Sequence, residues 1–147
     1  MSTPDENKQL VLAAYAAFGA QRKDEIASFF APDAEWIVPE NNGAVTALGR
    51  TRGWSGRDAI VSYLTDDVAG RLFTGSKVEL KTVVADADHV VVEQHYEATV
   101  CNGRPYSIDQ VFIFEVRDGL IRQVRAYFDT ALGTRLIFGD ETPRKLV

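Results

Sequence analysis

A chain of 147 residues, 46% hydrophobic and 25% charged, has the size and composition of one globular domain spanning 1–147 and can bury a core without disulfides or a structural metal. Its formal net charge of -5, with no clustered Lys or Arg, points away from nucleic acid and from an acidic membrane surface. The single cysteine, Cys101, cannot close an internal disulfide, no signal-peptide pattern opens the chain, and no apolar run approaches the roughly 20 residues that cross a bilayer, so cytoplasmic residence is the expectation.

Thr3, Pro4 and Glu6 form an N-cap, an N1 proline and a capping-box acid, and predict a first helix that carries Val11, Ala14, Tyr15 and Phe18 on one face and ends at Gly19. A shorter helix follows from about Asp24, with Ile26, Phe29 and Phe30 apolar, and Pro32 stops it. Residues 34–38 read as a strand. Residues 39–53 hold three glycines and no clear period, which leaves either a working loop or a further element; a loop at a pocket mouth is the expectation. Ser55 and Asp58 then cap a third helix with Ile60, Leu64, Val68 and Leu72 facing one way, fraying near Gly70. Four strands follow, 77–85, 89–101, 106–116 and 120–128, and residues 139–147 read as a loose tail. Helices first and a meander afterwards give an α+β fold, with three N-terminal helices packed on a curved, mainly antiparallel sheet that encloses a cavity.

The strand 108–116 is apolar on both faces, so something besides the helices must shield its back, and a second subunit is the expected cover. With Asn102-Gly103 as a two-residue turn, His95 stands opposite Gln110 and Glu93 opposite Phe112. Alternation then places Glu93, His95, Glu97, Ile108, Gln110 and Phe112 on a pocket face, and Gln94, Tyr96, Asp109, Val111 and Ile113 on the other. A histidine between two glutamates suits a general base, with Glu93 or Glu97 orienting His95; the same three residues also suit a solvated face with local ion pairs. Tyr15 and Gln110 are the candidates to polarise a substrate oxygen, although Tyr15 also fits the core, and Trp36, Phe112 and Phe128 are candidate pocket walls. Trp36 fits the core equally, and Trp54 fits an anchor for the third helix. Asp109 fits a subunit contact or a bond to Arg125, and Asp129 fits a cap after the last strand. His89 and His95 would stand about 20 Å apart along one strand and cannot share an ion. Without a phosphate-binding loop, a nucleophile elbow or cysteine-histidine spacing, no nucleotide, cofactor or metal is expected.

The stretch from Gly103 to Ile121, continuing through Arg125-Ala-Tyr-Phe-Asp-Thr130, resembles the C-terminal signature of SnoaL-like, ketosteroid-isomerase-related proteins of the nuclear-transport-factor-2-like superfamily. Phe30-Ala-Pro-Asp-Ala-Glu-Trp and Trp54-Ser-Gly-Arg-Asp-Ala-Ile resemble its two other landmarks, so the resemblance spans nearly the whole chain. It implies a cone of helices on a curved sheet, a homodimer, and a bulged turn at Asp118-Gly119 that puts Val124, Ala126 and Phe128 inside; the residues alone leave a two-residue turn open as well. It also marks departures. Val38 stands where the isomerase branch has its carboxylate base, Gln110 near its protonated acid, and Ala126 where the epoxide-hydrolase branch has an acid. The expected function is therefore a cofactor-free isomerase, cyclase or dehydratase that transfers protons on a small apolar substrate, with His95 as base; the alternatives are a non-catalytic small-molecule-binding domain and a dimerisation module of the same fold.

Overall fold

The computed structural model describes residues 2–147. The first helix, α1 (Pro4–Ala20), opens on the expected capping box: Thr3 Oγ1 accepts from the Glu6 amide at 3.1 Å, and Glu6 Oε1 accepts from the Thr3 amide at 3.4 Å. Helix α2 (Lys23–Ser28) ends before Phe29, and β1 (Phe30–Ile37) runs through Pro32. The proline is tolerated because the β1 ladder is interrupted between Phe30 and Glu35, where no amide is required of it. It therefore lies within a strand and does not end the helix.

The segment expected as a loop folds. Asn42 Oδ1 accepts from the Val45 amide at 3.1 Å and caps a short helix, α3 (Gly43–Ala47), after which β2 (Gly53–Ser55) pairs with β1. Helix α4 (Arg57–Ser62) starts from Gly56 without a side-chain cap, so Ser55 and Asp58 do not serve as one, and it widens into a π-helical segment, Tyr63–Leu72. Four long strands follow: β3 (Phe73–Ala85), β4 (His89–Val100), β5 (Pro105–Arg117) and β6 (Leu120–Phe128). A last helix, α5 (Thr130–Phe138), is absent from the sequence reading; Asp129 caps it by accepting from the Leu132 amide at 3.0 Å. The tail returns to α3, where the Leu146 amide donates to Ala47 O at 2.8 Å. It is thus docked at its end.

The fold is α+β. One open six-stranded mixed sheet has the order β2-β1-β6-β5-β4-β3, antiparallel throughout except for the parallel β1–β6 pair. Alternation along β4, β5 and β6 buries Val90, Val92, Phe112, Phe114, Val124 and Ala126 against Val11, Ala14 and Ala17 of α1. Full burial of a side chain such as Phe30 or Phe114 contributes roughly 1.5–3 kcal/mol. A second cluster, with Tyr96, Tyr106, Ile108, Ile137 and Phe138, seats α5 on the other end of the same face. Among the described residues, no helix is long and apolar enough to cross a membrane.

The two hairpins set the registers. Between β4 and β5, Val100 N donates to Arg104 O and Gly103 N to Val100 O, both at 2.8 Å, which closes a three-residue loop, Cys101-Asn102-Gly103, with Gly103 at φ +90. Between β5 and β6, Asp118 (φ 55) and Gly119 (φ 72) form a two-residue turn, and the bulge comes later, where the pairing shifts between Val116–Ile121 and Glu115–Gln123. That displaced bulge brings Val124 and Ala126 inward, as the bulged reading requires, although the turn itself is the shorter one.

Candidate functional site

The three-residue loop shifts β5 by one residue from the register expected of a two-residue turn. Gln94 lies opposite Gln110, His95 opposite Asp109, and Tyr96 opposite Ile108. A one-residue slip moves every side chain of one strand to the other face. Glu93, His95 and Glu97 therefore share the outer face with Asp109, Val111 and Ile113, while Gln94 and Tyr96 join Gln110, Ile108 and Phe112 inside. The expected grouping of His95 with Gln110 is corrected accordingly, and Tyr96 leaves the proposed subunit surface for the core.

Inside, Tyr15 of α1 donates from its hydroxyl to Gln94 Oε1 at 2.7 Å, and Gln94 Nε2 donates to Gln110 Oε1 at 2.9 Å. Each amide oxygen in this relay accepts a hydrogen bond, and the Gln110 amide group ends it. Burial drives Tyr15 far above the ordinary tyrosine range, so its hydroxyl stays a neutral donor. Trp36 stands at the centre of an aromatic box, with ring centroids 5.7 Å from Tyr63, 5.8 Å from Phe112 and 6.4 Å from Phe114. It is 4% exposed, and its Nε1 has no hydrogen-bond partner. An unpaired buried donor costs about 1–3 kcal/mol. Phe128, opposite Gln110, and Phe112 complete the inner wall, so Tyr15, Trp36, Gln110, Phe112 and Phe128 are all brought to the inner face.

Further hydroxyls belong to Tyr63 and Tyr106, which the sequence reading did not single out, and to Tyr96, which it assigned to the opposite face. Tyr63 stacks on Trp54 with centroids 3.7 Å apart. Burial first, and then the proximity of Tyr96, Tyr106 and Asp67, push the Tyr63 hydroxyl well up. Burial pushes Tyr96 to about 12 despite its 2.6 Å hydrogen bond with Ser76. The buried polar side chains are Asn7, Asn42, Thr65 and Gln94; the interior among the described residues thus offers hydroxyls, amides and an indole N–H, without an enclosed carboxylate or imidazole. The signal for Gln94 was present in the sequence as a polar residue in an alternating strand, but the assumed register assigned it outward.

On the outer face, His95 Nδ1 lies 2.7 Å from Asp109 Oδ1, and its Nε2 lies 2.9 Å from Ser107 Oγ and 3.3 Å from Glu97 Oε1. Lys81 Nζ reaches Asp109 at 3.4 Å, and Thr82 donates to Glu93 at 2.9 Å. Ser107, His95 and Asp109 have the spacing of a nucleophilic triad. The hydrogen bond to Asp109, with a further contribution from Glu97, raises the His95 pKa and favours ion pairing with both carboxylates. The cluster therefore behaves as an ion-pair network on an accessible sheet surface. Asp109 binds His95 and Lys81, whereas Arg125 turns to Gln123 Oε1 at 2.6 Å, so the expected Asp109–Arg125 bond does not form. Among the described residues, no group of histidine, cysteine and acidic side chains is arranged to hold a metal ion.

The profile of the SnoaL-like domain matches residues 11–132. No curated protein matches the sequence. Among solved structures, an NTF2-like protein of unknown function from Burkholderia pseudomallei K96243 is similar at 23% identity and a TM-score of 0.78, covering 93% of this chain and 98% of that one. An NTF2-like protein from Burkholderia xenovorans LB400 is similar at 26% identity and a TM-score of 0.75, with 92% and 98% covered. TerC, co-crystallised with polyporic acid, is similar at 27% identity and a TM-score of 0.73, with 89% and 97% covered.

The His95–Asp109 pair has a defined pH window. Asp109 is held below the usual carboxylate range, first by its hydrogen bond with His95, so the stability it contributes is lost as pH falls through its folded pKa; His95 is raised, so its contribution is lost as pH rises through its own. In Asp109→Asn, an NMR titration of the His95 ring is expected to show a lower pKa than in the unsubstituted protein. An unchanged His95 titration would show that the pair does not form.

Proposed function

The chain belongs to the SnoaL-like domain family, and on that premise we propose that it is a small-molecule-binding protein whose interior meets the oxygen of a mostly apolar ligand with neutral N–H and O–H donors. The observation that carries this reading is Trp36 Nε1, buried, unpaired and enclosed by aromatic rings, on the same inner face as the Tyr15–Gln94–Gln110 relay. A ligand carbonyl would satisfy the indole N–H while its apolar body replaces aromatic contacts. The aromatic wall must open to admit it. Tyr63, at the start of the π-helical segment, is the wall residue we assign to that movement.

Isomerase, cyclase or dehydratase chemistry by proton transfer needs a titrating group beside the substrate. The inner face supplies amides and high-pKa hydroxyls, and His95, Glu93 and Glu97 lie on the opposite side of the sheet, which favours binding over acid–base catalysis. The similarity to TerC, itself co-crystallised with polyporic acid, is in keeping with a small organic ligand.

A second copy of the chain is the partner we propose for the outer face, where Val91, Val111 and Ile113 form a half-buried apolar patch bordered by Tyr127, 52% exposed. Association there would shelter apolar surface at roughly 25 cal/mol per Å².

Calorimetry with 2-acetonaphthone and its hydrocarbon counterpart 2-ethylnaphthalene tests the interior site. The ketone is expected to bind more tightly, and Trp36→Phe to remove about tenfold of that preference, roughly 1.4 kcal/mol, while leaving the hydrocarbon nearly unchanged. Binding of neither compound, or equal binding of both, contradicts the reading. For the outer face, sedimentation velocity is expected to give a dimer at micromolar concentration and a monomer for Val111→Asp; a monomeric unsubstituted protein overturns the proposed pairing.

A further inference from the structure

Both histidines of the chain, His89 and His95, belong to β4 and face outward. The ladders order the outer face into rows that cross the sheet. His89 stands opposite Glu115; Val91 lies between Val84 and Ile113, Glu93 between Thr82 and Val111, His95 between Glu79 and Asp109, and Glu97 between Lys77 and Ser107. The two imidazoles therefore bracket the apolar patch assigned to a second copy of the chain. Val84, 54% exposed on β3, extends that patch by one more unshielded side chain.

Each imidazole is set among carboxylates. His89 Nδ1 lies 3.4 Å from Asp86 Oδ1, and His95 lies 2.7 Å from Asp109 and 3.3 Å from Glu97. From the His89 row to the Glu97 row, β3, β4 and β5 present five carboxylates, Glu79, Glu93, Glu97, Asp109 and Glu115, against two lysines, Lys77 and Lys81, the latter reaching Asp109 at 3.4 Å. On the neighbouring strands Arg125 and Glu35 offset each other. With neutral imidazoles, each copy thus carries an excess of three negative charges around the patch, and two copies meeting there bring like charges together. Protonation of both histidines reduces the excess to one. It also gives Glu97 a cationic partner before the carboxylate leaves water, and a carboxylate buried without one is costly. Repulsion and desolvation act in the same direction.

We propose that His89 and His95 place self-association through the outer face under pH control: the dimer tightens as the two histidines gain protons and loosens as they lose them. This rests on the outer-face pairing of two copies and adds its regulation. Sedimentation equilibrium of the full chain in low salt, at about pH 8 and about pH 6, brackets the histidine range and reads the effect. The dissociation constant is expected to be about tenfold or more lower at the acidic pH, and added salt to shrink the difference. His89→Gln/His95→Gln, neutral at both positions, is expected to bind with the weaker, alkaline affinity at both pH values. Glu97→Gln/Glu115→Gln is expected to tighten the dimer at the alkaline pH, and Val111→Asp to remain monomeric at both, which ties the association to this face. Equal affinity of the unsubstituted chain at the two pH values, tighter association at the alkaline one, or a pH dependence retained in the double histidine variant overturns the histidine control and leaves the pairing standing. A chain that is monomeric at both pH values overturns the pairing, and the control with it.

Discussion

The loop Cys101-Asn102-Gly103 decides what the protein presents inside and outside. Its three residues are held from two sides: the Val100–Arg104 and Gly103–Val100 backbone bonds close it, and Asn102 Nδ2 and Arg104 Nε donate to Ile137 O and Leu136 O of α5, at 2.9 and 3.0 Å. The carbonyls at the end of α5 have no partner within their own helix, so this contact satisfies them as it fixes the loop. Loop length and helix docking are thus one constraint, and the register of β4 against β5 follows from it.

From that register comes a division of polar chemistry across one sheet. Ionisable groups, His95, Glu93, Glu97 and Asp109, meet solvent on the outer face, where ion pairs have modest worth and no apolar substrate is sheltered. Neutral donors, Tyr15, Gln94, Gln110 and Trp36, lie within the aromatic interior. A carboxylate placed there would be driven to its neutral form by desolvation, whereas amides and hydroxyls hold their donors at any physiological pH. The departures at Val38 and Ala126 agree with this. Both positions are buried and apolar, so the parts of the interior where the isomerase and hydrolase branches place acids are lined here by hydrocarbon.

Most of the fold was legible because its local chemistry is unambiguous: the Thr3–Glu6 capping box and the alternating strands each point to one structure. Three features were not. Helix α3 is five residues long and stands on one capping asparagine and its packing against α5, too little periodicity to see in a sequence. Helix α5 had a readable start at Asp129, but that residue also fits a simple strand-end cap. The register failed because Asn-Gly strongly favours a two-residue turn, while Cys101 joins this loop through its amide bond to Leu72 O at 2.7 Å, a tertiary contact with no local signature. The inner-wall candidates Tyr15, Trp36, Gln110, Phe112 and Phe128 came out on one face all the same, because the slip exchanged the faces of β4 and left β5, β6 and α1 as read.

The measurement that tests this account most directly is the pattern of cross-strand backbone NOEs between β4 and β5 in the isotopically labelled protein. The account predicts contacts that pair Gln94 with Gln110 and His95 with Asp109. Contacts pairing His95 with Gln110 and Glu93 with Phe112 would contradict it, returning the imidazole to the interior and the whole acid–base reading with it.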